Sequence, residues 1–342
     1  MNWLLWIVLL IPVGIPVGSL TLDRIFGIPA QKQWVVLGIP SVVVFVGALI
    51  YALAVGDPVA QLVGWGALAG VLGTVLLDAV RLTGVRFGAF PADMPQLFGT
   101  IALGLAPQFQ RNMMHEMVAL TAGLPEHERQ AALEARLQAL ARMPAQRRQG
   151  VMAGMMAGLA RLPDERRQAM LQTQMGILSE LPGGERRALM ATMDAVMSRA
   201  GSDAGMLPYA QPRGMPRIPM ATFRRFASCA LPRTWEEAGV SKGTVLAAGY
   251  LWHFVMGATS LGIPYTLLVG QGSWGWAILW GIFVWLMMMV LMPPMMPMVR
   301  FPCWFPVVPF IAHIAFAVPF ALVSLYLISD TAHLHSLLGA LT

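Results

Sequence analysis

LPEHERQAALEARLQALAR (124–142), MPAQRRQGVMAGMMAGLAR (143–161), LPDERRQAMLQTQMGILSE (162–180) and LPGGERRALMATMDAVMSR (181–199) follow one another without a gap. They are copies of one 19-residue unit. Each opens with Leu or Met followed by proline, at Pro125, Pro144, Pro163 and Pro182. Each carries arginine at its sixth position, at Arg129, Arg148, Arg167 and Arg186. Within a unit the apolar positions are the ninth, tenth, thirteenth or fourteenth, and seventeenth, which in the second copy are Val151, Met152, Met155, Met156 and Leu159. Spacing of i, i+3/4, i+7 is one stripe of an α-helix. Proline fits the first helical turn, where its missing N–H has no partner to lose. Glu126, Glu128, Asp164, Glu165 and Glu185 place negative charge at the positive end of the helix dipole. Each unit is therefore predicted to be one helix with a short connection, and PQFQRNMMHEMVALTA (107–122) reads as a degenerate fifth copy. A lone helix of this length cannot bury its stripe, so the units must stack as a bundle or a short α-solenoid. The pattern turns arginine and glutamine to solvent, making Arg129, Arg148, Arg167 and Arg186 a candidate partner-binding ladder.

The rest of the chain is made for a non-aqueous solvent. Of its 342 residues 57% are hydrophobic and 12% charged, against about 25% charged in a soluble domain. Net charge is +6, but the basic residues are concentrated: 18 of 23 Lys and Arg fall between Arg111 and Lys242. The repeats contain no aromatic residue, so the positive charge does not read as a nucleic-acid interface, which would interleave base-reading side chains. The two cysteines, Cys229 and Cys303, have no zinc-ligand spacing and are expected as free thiols.

Six apolar stretches are predicted to span, at about residues 2–18, 34–55, 61–83, 243–268, 273–293 and 305–329. The first is short, with Trp3 and Trp6 as interfacial anchors, and it lacks the positive start of a cleaved signal. Gly66, Gly70 and Gly73 form a small-residue face that lets another helix approach. The organisation expected is an N-terminal membrane half (1–106, ending in a connector whose LFGTIALGLA is too short to span), the repeat (107–200), a Pro/Gly linker and interfacial helix (201–242) opened by a Thr234-x-x-Glu237 capping box, and a C-terminal membrane half (243–342) with a short exposed tail. Lys and Arg stay on the cytoplasmic face, which puts 19–33, 84–242 and 294–304 inside. The fold class is thus an all-α polytopic membrane protein of about six transmembrane helices with a cytoplasmic helical-repeat insert, located in a bacterial inner membrane.

Ionisable groups inside spans are costly and point to function. Asp78 and Arg81, three apart, pair on one helix face. His253 and His313 lie about 12–15 Å into their helices from the inner side, and Met288 and Met292 sit near that level. This layer is a candidate for haem b between His253 and His313, for a copper or other metal site with Asp78, Met288 and Met292, or for a quinone pocket lined by Trp252 and Tyr265; equally, each histidine can simply bond a neighbouring helix. Thioethers bind Cu(I), so His115 in MMHEM is the repeat's best metal candidate, although the methionines there, including Met190, Met193 and Met197, are expected in the helix core as flexible filler. No phosphate loop, catalytic triad order or HExxH occurs, and no pocket for a soluble small-molecule substrate is evident. The stretches GYLWHFVMGATSLGIPY (249–265), GIFVWLMMMVLMPPMMP (281–297) and IAHIAFAVPFALV (311–323) resemble the helices of small bacterial integral membrane proteins; the resemblance carries no activity. The function expected is a non-catalytic subunit or scaffold of a larger membrane complex, contacting other membrane subunits and the lipid bilayer, with a metal- or haem-binding redox role as the alternative.

Overall fold

The structure, a computed structural model, describes residues 2–18, 22, 30–90, 93–199, 217–296 and 299–342. The described chain is helical almost throughout and forms two compact units. One comprises Met1–Gly104, Gly243–Met295 and Pro302–Thr342; the other comprises Leu105–Lys242 and Met296–Phe301.

In the first unit, α1 is Trp3–Val13, α2 Trp34–Ala54, α3 Val59–Arg86 and α4 Met94–Ala102. Among the described residues five helices are long and apolar enough to cross a membrane: α2, α3, Lys242–Val269, Trp274–Pro293 and Val307–Tyr326. The sixth expected span is the shorter apolar helix Trp3–Gly18. Trp6, expected as an interfacial anchor, is buried within the unit and its Nε1 donates to the Leu267 carbonyl at 3.1 Å. This short helix packs one face on α2 and on the end of Lys242–Val269, and leaves Trp3, Leu4, Ile7 and Ile11 exposed on the other.

α3 is the central element, with the later helices Lys242–Val269 and Val307–Tyr326 lying along it. The glycine face works as expected. A Cβ on Gly66 would lie 2.3 Å from Thr266 Oγ1, one on Gly70 2.1 Å from the Gly257 carbonyl oxygen, and one on Gly73 2.8 Å from Phe316. Thr266 Oγ1 also donates across this seam to the Leu62 carbonyl at 2.6 Å. The partner helix widens into a π turn at Met256–Gly262 where it meets these glycines; such turns are rare and are one of the few causes of a sharp helix bend. The tail is exposed only in part: Asp330, Leu334 and Leu341 are exposed, but Asp330–His333 and Leu337–Leu341 are short helices, Ala332 and Ser336 are fully buried, and Gln271 N–H donates to His333 Nδ1 at 2.9 Å.

The second unit holds α5 (Ala106–Ala122), α6 (Glu126–Ala141), α7 (Ala145–Ala160), α8 (Asp164–Glu180), α9 (Gly183–Arg199) and α10 (Met220–Glu237). Each repeat is one helix, its proline just before or at the first turn, and the degenerate copy is a helix too. The helices do not stack in chain order. α5 lies along α7 and α7 along α9, α6 lies along α8, and α10 covers the other side of α5. This is a two-row solenoid in which each helix packs on the helix two units on. Strands Ile218–Pro219 and Val299–Arg300 form a small parallel pair in the same unit.

Thr234 does not cap a new helix. α10 runs through it, with the Thr234 hydroxyl donating to the Ala230 carbonyl at 2.6 Å. The helix stops at Gly239, whose φ of 65° suits glycine, and the next helix starts at Lys242. Most of the expected linker, 201–216, lies outside the described residues. Cys229 and Cys303 are free and exposed.

Candidate functional site

The first unit buries a charged cluster. Asp78 and Arg81 project from one face of α3, and Arg81 Nε donates to Asp78 Oδ1 at 2.6 Å. The i, i+3 pairing read from the sequence is present, but the cluster is larger than that reading. Arg81 also donates through Nη1 to Asp93, at the start of α4, and through Nη2 to Tyr250 Oη at 3.3 Å. One guanidinium thus ties together α3, α4 and the helix we call α11 (Lys242–Val269). Asp93 and Tyr250 were not foreseen. The available signal was an aspartate standing just before a proline-started apolar helix, in Asp93-Met94-Pro95.

His253 joins the cluster from α11. Its Nδ1 lies 3.5 Å from Asp78 Oδ1, an ion-pair distance without hydrogen-bond geometry. Asp78 Oδ2, His253 Nδ1 and Trp252 Nε1 are buried without a hydrogen-bond partner among the described residues. Phe98 of α4 stacks edge-on against the His253 ring, and Trp34 against Trp252.

The structure brings together one part of the expected layer, Asp78 with His253. His313, on the helix α13 (Val307–Tyr326), is buried and donates from Nδ1 to the Pro309 carbonyl one turn back at 2.6 Å. Met292 is buried and Met288 half-buried on α12 (Trp274–Met295), which packs along α13. Among the described residues no three His, Cys, Asp or Glu side chains are placed to hold a metal ion. Tyr265 is stacked on Trp280 and Phe320, 13 residues from Trp252 and so about 20 Å along the helix; those two do not line one pocket.

The second unit has its own logic, set by the periodic arginine. Arg129 Nε donates to Thr173 Oγ1 at 3.1 Å, and Arg148 Nε to Thr192 Oγ1 at 2.7 Å. Both bonds run from the sixth position of one repeat to the twelfth position of the repeat two on. The same arginines reach back to free carbonyls at the end of the preceding helix: Arg148 to Ala141 and Met143, Arg129 to Leu124 and Arg186 to Ser179. Those carbonyls are the ones a helix end leaves without intrahelical donors. The ladder expected at the surface is therefore turned inward at Arg129 and Arg148, because a guanidinium beside two helix ends finds acceptors there that water would otherwise supply. Arg167 and Arg186 have no repeat two units further on. Arg167 pairs with Asp164 of its own helix, and Arg186 is exposed. Threonine at the twelfth position occurs in the third and fourth repeats, while the first two have Ala135 and Gly154 there. This was the legible signal of which repeats accept a stacking partner.

The two ends of the solenoid differ. At the end covered by α10, fully buried Asn112 donates to Thr234 Oγ1 and to Glu237 Oε2, both at 3.1 Å, and accepts from Arg161 at 2.9 Å. Arg233 bonds Glu116 at 3.0 Å. At the other end, tenth- and fourteenth-position side chains that are covered in early repeats are bare. Leu133, Leu137 and Met152 are at most 1% exposed, whereas their counterparts Leu171, Met175 and Met190 are 46%, 59% and 38% exposed. Met197 is exposed as well. Met190 and Met197 are thus not core filler as expected; the helical stripe has the right period, but no helix lies over its outer half in the last two copies.

His115 sits in this unit, its Nδ1 3.4 Å from the Gly158 carbonyl. Burial, and then the guanidinium of Arg233, push its pKa below the ordinary histidine range, with Glu116 and Arg161 as the other charges nearby. The unfolded chain therefore takes up a proton near pH 6.5 that the folded unit resists, and stability falls as pH drops from about 6.5 toward the lower folded value. His115→Gln is expected to shrink the loss of melting temperature between pH 7.5 and pH 5, measured by circular dichroism. Equal losses in both proteins would show that His115 does not carry it.

A second expectation concerns the Arg148–Thr192 bond. Thr192→Val removes one hydrogen bond to a charged donor, about 1.5–3 kcal/mol, and Arg148→Ala removes that bond together with those to the Ala141 and Met143 carbonyls. The double change should cost clearly less than the sum, which thermal or denaturant melting of all three variants will measure. Strict additivity would mean the two side chains act independently.

Comparison with protein-family models, with curated proteins and with solved structures returned no match.

Proposed function

We propose that the chain is a membrane-anchored docking protein, a non-catalytic subunit or assembly partner of a larger bacterial inner-membrane complex, with the helical array on the cytoplasmic side. The observation that carries this is the asymmetry of the array. One end is closed by α10 through a satisfied polar network, and the other keeps apolar side chains on its surface. Free-standing solenoids end in polar capping units, and an apolar patch on an otherwise charged surface marks an interaction site. The concentration of Lys and Arg around the array supports the sidedness. Purification of the full chain from its native membranes should yield a second polypeptide in constant ratio, absent when residues 124–199 are deleted. A full chain that purifies alone overturns the reading.

A second reading, a metal- or haem-binding redox role, is favoured by His253 beside Asp78 with unpartnered polar atoms on both. Stoichiometric copper or iron by elemental analysis, or a Soret band, lost in His253→Ala, would establish it.

A further inference from the structure

The open end of the array offers more than bare apolar surface; it repeats an interface whose filled form is visible inside the same array. In the filled form, the tenth and fourteenth positions of one helix pack under the helix two units on, and the sixth-position arginine donates to a threonine hydroxyl on that helix. At the open end the apolar positions are occupied by Leu171, Met175 and Met190, and the arginines by Arg167 and Arg186. These are the same chemical types in the same register. What is missing is a helix pair that brings an apolar stripe and hydroxyl acceptors.

We infer that the open end of the array binds a helical hairpin of a partner protein that continues the solenoid by one pair of helices. Its apolar stripe covers Leu171, Met175, Met190 and Met197, and its Ser or Thr hydroxyls accept hydrogen bonds from Arg167 and Arg186. Continuity with the internal interface selects this occupant. A second copy of the chain meeting head to tail has no matching surface to offer, because α5, the first helix of its array, is already covered by α10. Two copies meeting open end to open end bring arginine to arginine, with no hydroxyl acceptor in register. This inference rests on the docking reading and specifies its partner.

The probe is a peptide of residues 162–199, which carries Thr173 and Thr192 on the side that packs on α6 and α7 within the chain. Offered in trans to the purified full-length protein, it should bind saturably at one per chain, read by fluorescence anisotropy. Arg167→Ala/Arg186→Ala in the protein should weaken binding about a hundredfold, the effect of losing two hydrogen bonds to charged groups. Thr173→Val/Thr192→Val in the peptide should do the same, with little further loss when the two are combined. Leu171→Glu/Met190→Glu should abolish binding. All four protein positions are at least partly exposed, and an unchanged melting curve will confirm that the array still folds. Absence of binding, or binding indifferent to these substitutions, overturns the inference. So does a full-length dimer that Leu171→Glu/Met190→Glu makes monomeric, which would assign the face to a second copy. The docking reading fails separately: if the native partner is lost on deleting 124–199 but kept by Leu171→Glu/Met190→Glu, docking stands and the open end is not its site.

Discussion

Arg81→Ala is expected to be among the most damaging single substitutions in this protein, costing about 3–5 kcal/mol, the penalty for removing one partner of a buried ion pair. Arg81 is 2% exposed and its guanidinium serves two carboxylates, Asp78 and Asp93, and the Tyr250 hydroxyl. Truncation leaves buried Asp78 and half-buried Asp93 without the guanidinium, with only the His253 ring beside Asp78. It also removes the link that joins α3 to the start of α4 and to α11. The cost comes less from the attraction lost than from the charges left behind, and this can be separated experimentally. Arg81→Leu combined with Asp78→Asn removes the worst-placed charge with its partner, and should recover a substantial part of the loss. Arg81→Lys keeps the charge but not the fork of donors that reaches three groups, and should fall between. Thermal unfolding in detergent of the four proteins will decide; an Arg81→Ala protein that melts with the wild type would mean the cluster carries no net stability.

Gly249→Ala should be nearly as severe through a different cause. A Cβ at Gly249 would lie 1.8 Å from the Pro95 carbonyl oxygen, and one at Gly99 1.9 Å from that of Val245. The obstructing atoms are backbone on both sides, so no rotamer change relieves the overlap and α4 must move off α11. Overpacking of this kind costs about 1–3 kcal/mol or more, and the upper end is expected here. Moving α4 also pulls Asp93 away from Arg81. The two sites are therefore coupled, and Gly249→Ala with Arg81→Ala should destabilise by less than the sum of the singles. Gly64→Ala, on α3 with nothing within 4 Å of its would-be Cβ, is the control. It should be neutral or slightly stabilising, since alanine is the better helix former. A Gly249→Ala protein as stable as Gly64→Ala would refute the close approach.

The amino-acid pattern by itself determined what depends on neighbours three or four residues apart. The repeat helices follow from the spacing of apolar side chains such as Val151, Met152 and Met155, and their start points from Pro125, Pro144, Pro163 and Pro182. The long apolar helices follow from composition, and the Asp78–Arg81 pair from its i, i+3 spacing. The close approach at Gly66 and Gly70 was legible because a residue without a side chain has few other uses on such a helix face. Tertiary structure alone decided which helix covers which face. An amphipathic stripe has the same period whether a neighbour lies over it or not, so Met152, covered, and Met190, bare, look alike in sequence. The Arg148–Thr192 bond spans 44 residues, and Tyr250 reaches Arg81 across 169. Such contacts arise when packing satisfies buried donors and carbonyl ends that no local pattern encodes. The repeat was therefore visible as a set of helices, while the direction of its arginines, and the end at which the array is left open, emerged only when the helices were stacked.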